Sequence, residues 1–223
     1  MTDLRLVRVQ AASGLLFSLF LSAHLLNTLV APLGPASYER AQSLLRQVYQ
    51  WPPVELVVVL LGFVCHVGAS LALRVRRRHT ARAPRTLRHR LHTGTGYFLL
   101  VFASLQHIPA VRGASLWYGV APGFAGIAFS LVWLPAYYLP YYTLLGVSGG
   151  YHLLSGVLLA LPRLGLRLPA TWHRPGVVFA SSGLLSLGVA LAVAAFSGAL
   201  FDVGDPAGGA YAQLLLRLGI AHP

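Results

Sequence analysis

The chain has 223 residues, 56% hydrophobic and 10% charged, with a mean hydropathy of +0.67, a balance that excludes an ordinary soluble domain and starts from the membrane class. Seventeen arginines stand against five acids, lysine is absent, and the single cysteine, Cys65, lies in an apolar run. That excludes a disulfide framework and a cysteine-rich metal site, and leaves the formal charge of +12 to be read from where the arginines fall.

Crossing ~30 Å of hydrocarbon takes about 20 mainly apolar residues, and five runs qualify: about 9–31, 54–73, 93–111, 139–162 and 176–201. The first is too long for a cleaved signal, carries a histidine deep inside, and is not followed by a small-residue cleavage site. Between the first two runs, residues 37–50 set Glu39, Arg40 and Arg46 among Leu44, Leu45 and Val48, a pattern for a short amphipathic surface helix, with a plain polar loop as the alternative. Residues 74–90 form a basic connecting loop broken by Pro84. The uncharged stretch 113–138 holds Pro122, Pro135, Trp117, Tyr118, Trp133, Tyr137 and Tyr138, and aromatics of that density favour the headgroup level. It reads as an interfacial or re-entrant segment feeding the fourth helix, against a sixth span. The expected fold is therefore all-α, one domain over residues 1–223, an integral membrane bundle of five transmembrane helices.

Thirteen of the seventeen arginines fall in three clusters: Arg5 and Arg8; Arg74, Arg76, Arg77, Arg78, Arg82, Arg85, Arg88 and Arg90; and Arg163, Arg167 and Arg174. With all three on the cytoplasmic side, the chain is a multi-pass protein of the cytoplasmic membrane, N-terminus in and C-terminus out. The basic loop then meets lipid headgroups, an acidic cytoplasmic partner or haem propionates. Nucleic acid is excluded for a loop pinned to a bilayer.

Nine histidines occur, and His24, His66, His107 and His152 each lie inside a different expected span, while His79, His89, His92, His173 and His222 fall in loops, at helix edges or at the terminus. An ionisable residue in a membrane is a functional candidate by default, although each alone is also explained by interhelical packing. At 1.5 Å per residue, His24 lies ~24 Å beyond Arg8 and His107 ~26 Å beyond Arg90, whereas His66 lies ~12 Å before Arg74 and His152 ~16 Å before Arg163. The first two share the outer half and the second two the inner half. Packing gives no reason for two matched depths; two six-coordinate haem irons, each held by two neutral imidazoles from opposing helices, require them. Haem between helices also needs close approach, and Gly14, Gly62, Gly68, Gly94, Gly96, Gly146, Gly149, Gly150 and Gly156 lie on the four histidine-bearing helices. Zinc fits less well, because its ligands converge at one depth. No phosphate loop, dinucleotide fingerprint or catalytic triad is present.

The stretches SGLLFSLFLSAHLLN at 13–27, FVCHVGASLALR at 63–74, GYFLLVFASLQH at 96–107 and GGYHLLSGVLLAL at 149–161, with histidine intervals of 42, 41 and 45 residues, resemble the five-helix dihaem cytochrome b anchor subunit of succinate:quinone oxidoreductases, the succinate dehydrogenases and fumarate reductases. The resemblance runs from about residue 5 to 200. It implies two haem b groups, with His66 and His152 holding the proximal one and His24 and His107 the distal one. It implies a flavoprotein and an iron–sulfur subunit on the cytoplasmic side, whose chains carry the succinate or fumarate chemistry, and a membrane quinone, menaquinone being the expected type. Some members carry an acid just before the fourth ligand; here Ser148, Gly149 and Gly150 stand there. Quinone reduction takes up protons, and Glu39 and Glu55, the acids between the first two spans, are the candidates for a quinone site, against a reading as ordinary surface carboxylates. Another bis-histidine membrane cytochrome b, and a haem-free scaffold or transporter, are the competing functions.

Overall fold

In hydrocarbon a backbone N–H or C=O finds no partner outside the protein, which restricts an apolar chain to helices or a closed barrel. The computed structural model describes residues 3–78 and 86–222, and no strand occurs among them. His79, Arg82 and Arg85 of the basic loop lie outside the described residues. The principal helices are α1 (Asp3–Leu29), α2 (Pro35–Tyr49), α3 (Pro52–Arg76), α4 (Leu87–Tyr118), α5 (Phe124–Trp133), α6 (Pro135–Ala160), α7 (Pro175–Phe196) and α8 (Ala210–Arg217). Five of these, α1, α3, α4, α6 and α7, are long and apolar enough to cross a membrane, an odd number that sends the chain ends to opposite faces.

The helices overrun their apolar windows because hydrogen bonding continues past the hydrocarbon. Thr86 caps α4, its hydroxyl accepting the His89 N–H at 3.3 Å, and starts that helix well before the apolar run. At the other extreme α7 stops at Phe196 instead of near 201: Gly198 takes φ +83° and the Ala199 N–H turns back to the Ala194 carbonyl, a glycine-terminated helix end. The stretch 113–138 is no sixth span. Gly119, in the left-handed region, ends α4, and α5 has only ten residues. Phe124, Ala128 and Leu131 of α5 are buried in one cluster with Ala192 and Phe196 of α7, and Phe129 in another with Ala212 and Leu215 of α8. The amphipathic reading of residues 37–50 holds as well: α2 buries Tyr38 and Gln42, one turn apart, with Tyr38 against Phe124 and Phe196. Helices α2, α5 and α8 thus cap one end of the bundle.

Helix α1 packs along α3 and α6, and α6 along α4 and α7. Four helices therefore form a ring in the order α3, α1, α6, α4, with α7 outside against α6 and α1. The fourth side of the ring, between α4 and α3, is pinned at its ends: Arg74 of α3 lies over the Tyr97 ring of α4 at 5.0 Å, and the Arg112 guanidinium of α4 donates through Nε and Nη2 to both oxygens of Glu55 on α3. Outward the bundle presents bare apolar side chains, such as Leu105 at 77% and Leu184 at 73% exposure. Such a belt is a liability in water and the expected coat in lipid.

Five crossings place residues 76 and 207 on opposite faces. In a Cys65→Ala background, cysteines introduced at Arg76 and Ala207 should react with an impermeant maleimide from opposite sides of sealed vesicles; labelling from the same side would contradict the five-span fold.

Candidate functional site

The ring order decides which histidines can meet. His24 is on α1, His66 on α3, His107 on α4 and His152 on α6, so α1 faces α4 along one diagonal and α3 faces α6 along the other. The two pairs expected from depth are these diagonals. His24 and His107 have ring centroids 5.7 Å apart with planes at 65°, and His66 and His152 lie 6.2 Å apart with planes at 81°. All four rings are half-buried.

The His66–His152 pair, the one expected in the inner half, is held by backbone. His66 Nδ1 lies 2.9 Å from the Gln10 carbonyl of α1, and His152 Nδ1 lies 3.1 Å from the His92 carbonyl of α4. A carbonyl only accepts, so each Nδ1 carries the proton and donates it, which leaves each Nε2 with a free lone pair. That is the tautomer a metal-ligating histidine takes when its other nitrogen is anchored. Glycines make the fit: a Cβ on Gly14 would come within 2.7 Å of the His66 ring, and one on Gly96 within 2.8 Å of the His152 ring. Gln10 also ties three helices together, its amide donating to Ser70 Oγ at 2.8 Å and accepting from Arg163 Nη1 at 3.3 Å.

A fifth histidine joins the inner pair. His92 stacks on His152 with centroids 4.1 Å apart and planes at 8°. Hydropathy puts it at a helix edge, but α4 begins at Leu87 and carries His92 inside. The signal for it was the cap: Thr86 starts the helix ahead of the apolar run and sets His92 one turn before Gly96 on the same face. Nearby, Nε and Nη2 of Arg88 are buried without a hydrogen-bond partner.

Around the outer pair, Phe20 stacks on His24 at 5.7 Å and Tyr49 meets Phe20 edge-on at 5.2 Å. Among the described residues no hydrogen bond holds either outer ring. Asn27 Oδ1 and Ser104 Oγ, each within a turn of one of these histidines, are buried without partners. Helix α4 is π-type over Ala103–His107 and again over Pro109–Gly113; Pro109 has no N–H to give, and such widened turns recur at functional sites.

The two acids at the capped end are engaged. Glu55 is paired with Arg112. Glu39 accepts the Phe124 N–H at the start of α5 and borders an open polar groove with Gln42, Ser43 and Arg46. Beside it, burial and then the Glu39 charge hold the Tyr38 phenol above its usual range, so it remains a neutral hydroxyl, accepting from Gln42 Nε2 at 3.0 Å.

Among the described residues no three His, Cys, Asp or Glu side chains converge as ligands of a bare ion. Compared with known proteins, the chain matches no family model, and no curated protein or solved structure is significantly similar to it.

The glycine contacts make a stability prediction. Gly14→Val should lower stability by about 1–3 kcal/mol through overpacking against His66, whereas Gly68→Ala, on the same bundle with open space at its Cβ position, should not. Detergent-solubilised thermal unfolding reads both; equal midpoints for the two variants would contradict the tight seat.

Proposed function

We propose that the chain is the cytochrome b membrane anchor of a succinate:quinone oxidoreductase, passing electrons between a cytoplasmic iron–sulfur subunit and membrane quinone by way of two bis-histidine haem b groups. The observation that carries this reading is the pair of diagonal histidine couples. A metal–imidazole bond of about 2 Å on each side of one ion, with roughly 1 Å from nitrogen to ring centre, puts the two centroids about 6 Å apart, and the couples stand at 5.7 and 6.2 Å. Two ligands per site, with no third His, Cys, Asp or Glu side chain converging among the described residues, suit an iron whose other four ligands belong to a macrocycle.

His66 and His152 would hold the proximal haem, with the Gln10 and His92 carbonyls fixing their tautomers. His24 and His107 would hold the distal one, with Phe20 against the His24 face. Haem b, when bound, supplies a reversible one-electron couple at each site. The buried and unpartnered Arg88 guanidinium atoms suit the propionate edge of the proximal haem, since a buried cation needs an anion. Gly14 and Gly96 leave room for the two rings of the His66–His152 couple.

The arginine-rich face is the cytoplasmic one on the positive-inside rule, and it is the docking surface for the iron–sulfur subunit, itself paired with the flavoprotein. Asp3 already engages Arg76 and Arg77 at 3.6 and 3.1 Å; exposed pairs of this kind contribute ~1 kcal/mol or less and yield readily to a partner's carboxylates. At the far end, Glu39 has the better claim as the proton-handling acid for quinone, because it borders the polar groove while Glu55 is committed to Arg112. The runner-up readings are another bis-histidine cytochrome b and a haem-free scaffold; co-purification with a flavin-containing subunit separates the first, and a reduced-minus-oxidised spectrum the second.

Ligand variants test the pairing. His24→Ala and His107→Ala should perturb one spectral component, and His66→Ala and His152→Ala the other, because loss of one axial imidazole affects only its own iron; grouping of His24 with His66 would overturn the arrangement. For the quinone end, Glu39→Gln should lower quinone reduction on the order of 10²-fold with haem spectra unchanged. Retained activity in both Glu39→Gln and Glu55→Gln would remove these acids from the proton path.

A further inference from the structure

His92 is not one of the four proposed ligands, yet it makes the closest ring contact of any described histidine. Its face covers the His152 ring at 4.1 Å and 8°. Its own orientation is set by Ser155, one turn beyond His152 on α6. Ser155 Oγ spends its proton on the Tyr151 carbonyl at 2.6 Å and so receives the His92 Nδ1–H at 2.8 Å. Gly156 leaves room for the ring: a Cβ there would come within 3.2 Å of His92 Cε1. Ser155 itself is fully buried. The stacked ring therefore has one orientation, dictated by α6, and its backbone carbonyl takes the His152 Nδ1–H.

An imidazole bound to an iron through Nε2 is free to turn about that bond unless the protein stops it. A hydrogen bond at Nδ1 fixes where the ring points and constrains its plane only loosely, because carbonyl lone pairs accept over a broad range of directions. A parallel ring lying against the face does restrict the plane, since any rotation drives one edge into it. Gly96 closes the other approach, with no room for even a methyl group beside the His152 ring.

We propose that His92 is a positioning residue that locks the plane of the His152 imidazole near perpendicular to that of His66, and so sets the electronic character of the proximal haem. This rests on the dihaem reading. The planes of the two axial imidazoles determine how the iron d orbitals split, and near-parallel planes are the arrangement that unconstrained ligands relax toward. At the distal couple the ring stacked on His24 is Phe20, 5.7 Å away and tilted by 16°, so the close parallel contact that locks a plane belongs to the proximal couple.

The test uses the full-length protein purified in detergent, with haem content measured for every variant and the low-temperature EPR spectrum of the oxidised form as readout. The largest g value of a low-spin bis-histidine haem rises as the planes approach perpendicular. His92→Ala should move the signal that His152→Ala abolishes toward the lower, rhombic g values of parallel planes and leave the other signal in place. His92→Phe, which keeps the stack, should keep that signal close to its original position. If His92→Ala releases the proximal haem, Ser155→Ala decides, since it frees the stacked ring and leaves all imidazoles present; a shift confined to the same signal supports the role. Two unmoved signals in a haem-replete His92→Ala or, failing that, Ser155→Ala protein, or equal shifts in His92→Phe and His92→Ala, would overturn it. Wild-type protein without haem would instead overturn the dihaem reading, and this inference with it.

Discussion

An imidazole inside a bilayer carries one donor and one acceptor that lipid cannot satisfy, and the half of this bundle that holds His66 and His152 is arranged around that requirement. The donors of His66 and His152 go to main-chain carbonyls on the neighbouring helices. Carbonyls are fixed in place by the helix that bears them, so they hold a ring without the rotamer freedom a side-chain partner would have. Close approach of the helices follows from this need, and glycine at Gly14 and Gly96 follows from close approach. The acceptor nitrogens remain, and on the proposed function an iron between two of them would answer that remaining half of the problem.

The ring order α3, α1, α6, α4 turns this local chemistry into architecture. Neighbouring helices supply carbonyls, and diagonal helices supply the facing imidazole. Helix α7 carries no histidine within its span and stands outside the ring, where it packs on α6 and α1 and supplies Ala192 and Phe196 to the cap. The cap brings Tyr38 and Tyr49 of α2 and Tyr211 of α8 to one end; burial and the neighbouring Tyr138 push the Tyr211 phenol up to about 12, so it remains a neutral hydroxyl across the physiological range.

Much of this was legible in the chain. Five spans follow from run length and composition, and the diagonal couples follow from depth, because a helix converts residue count into distance with little latitude. The preference for an interfacial or re-entrant segment over a sixth span at 113–138 came from prolines and aromatics, and the ten residues of α5 are too few for a sixth span. What hydropathy did not disclose were features set by caps and partners. His92 lies in polar sequence that scores as a loop edge, and only the Thr86 cap moves it into a helix. The end of α7 is decided by one glycine in the left-handed region, inside a run that stays apolar beyond it. The partners of Glu39 and Glu55 lie 85 and 57 residues away in sequence, and no local pattern encodes such separations.

The central claim is that each chain holds two irons, one between each diagonal couple. Haem content per chain tests it most directly, measured as the pyridine haemochrome of the purified full-length protein against its protein concentration. The account predicts two haem b per chain, both low-spin in the oxidised and reduced forms. A protein that is folded and free of haem, or one that holds a single haem between His66 and His152 or between His24 and His107, would contradict it.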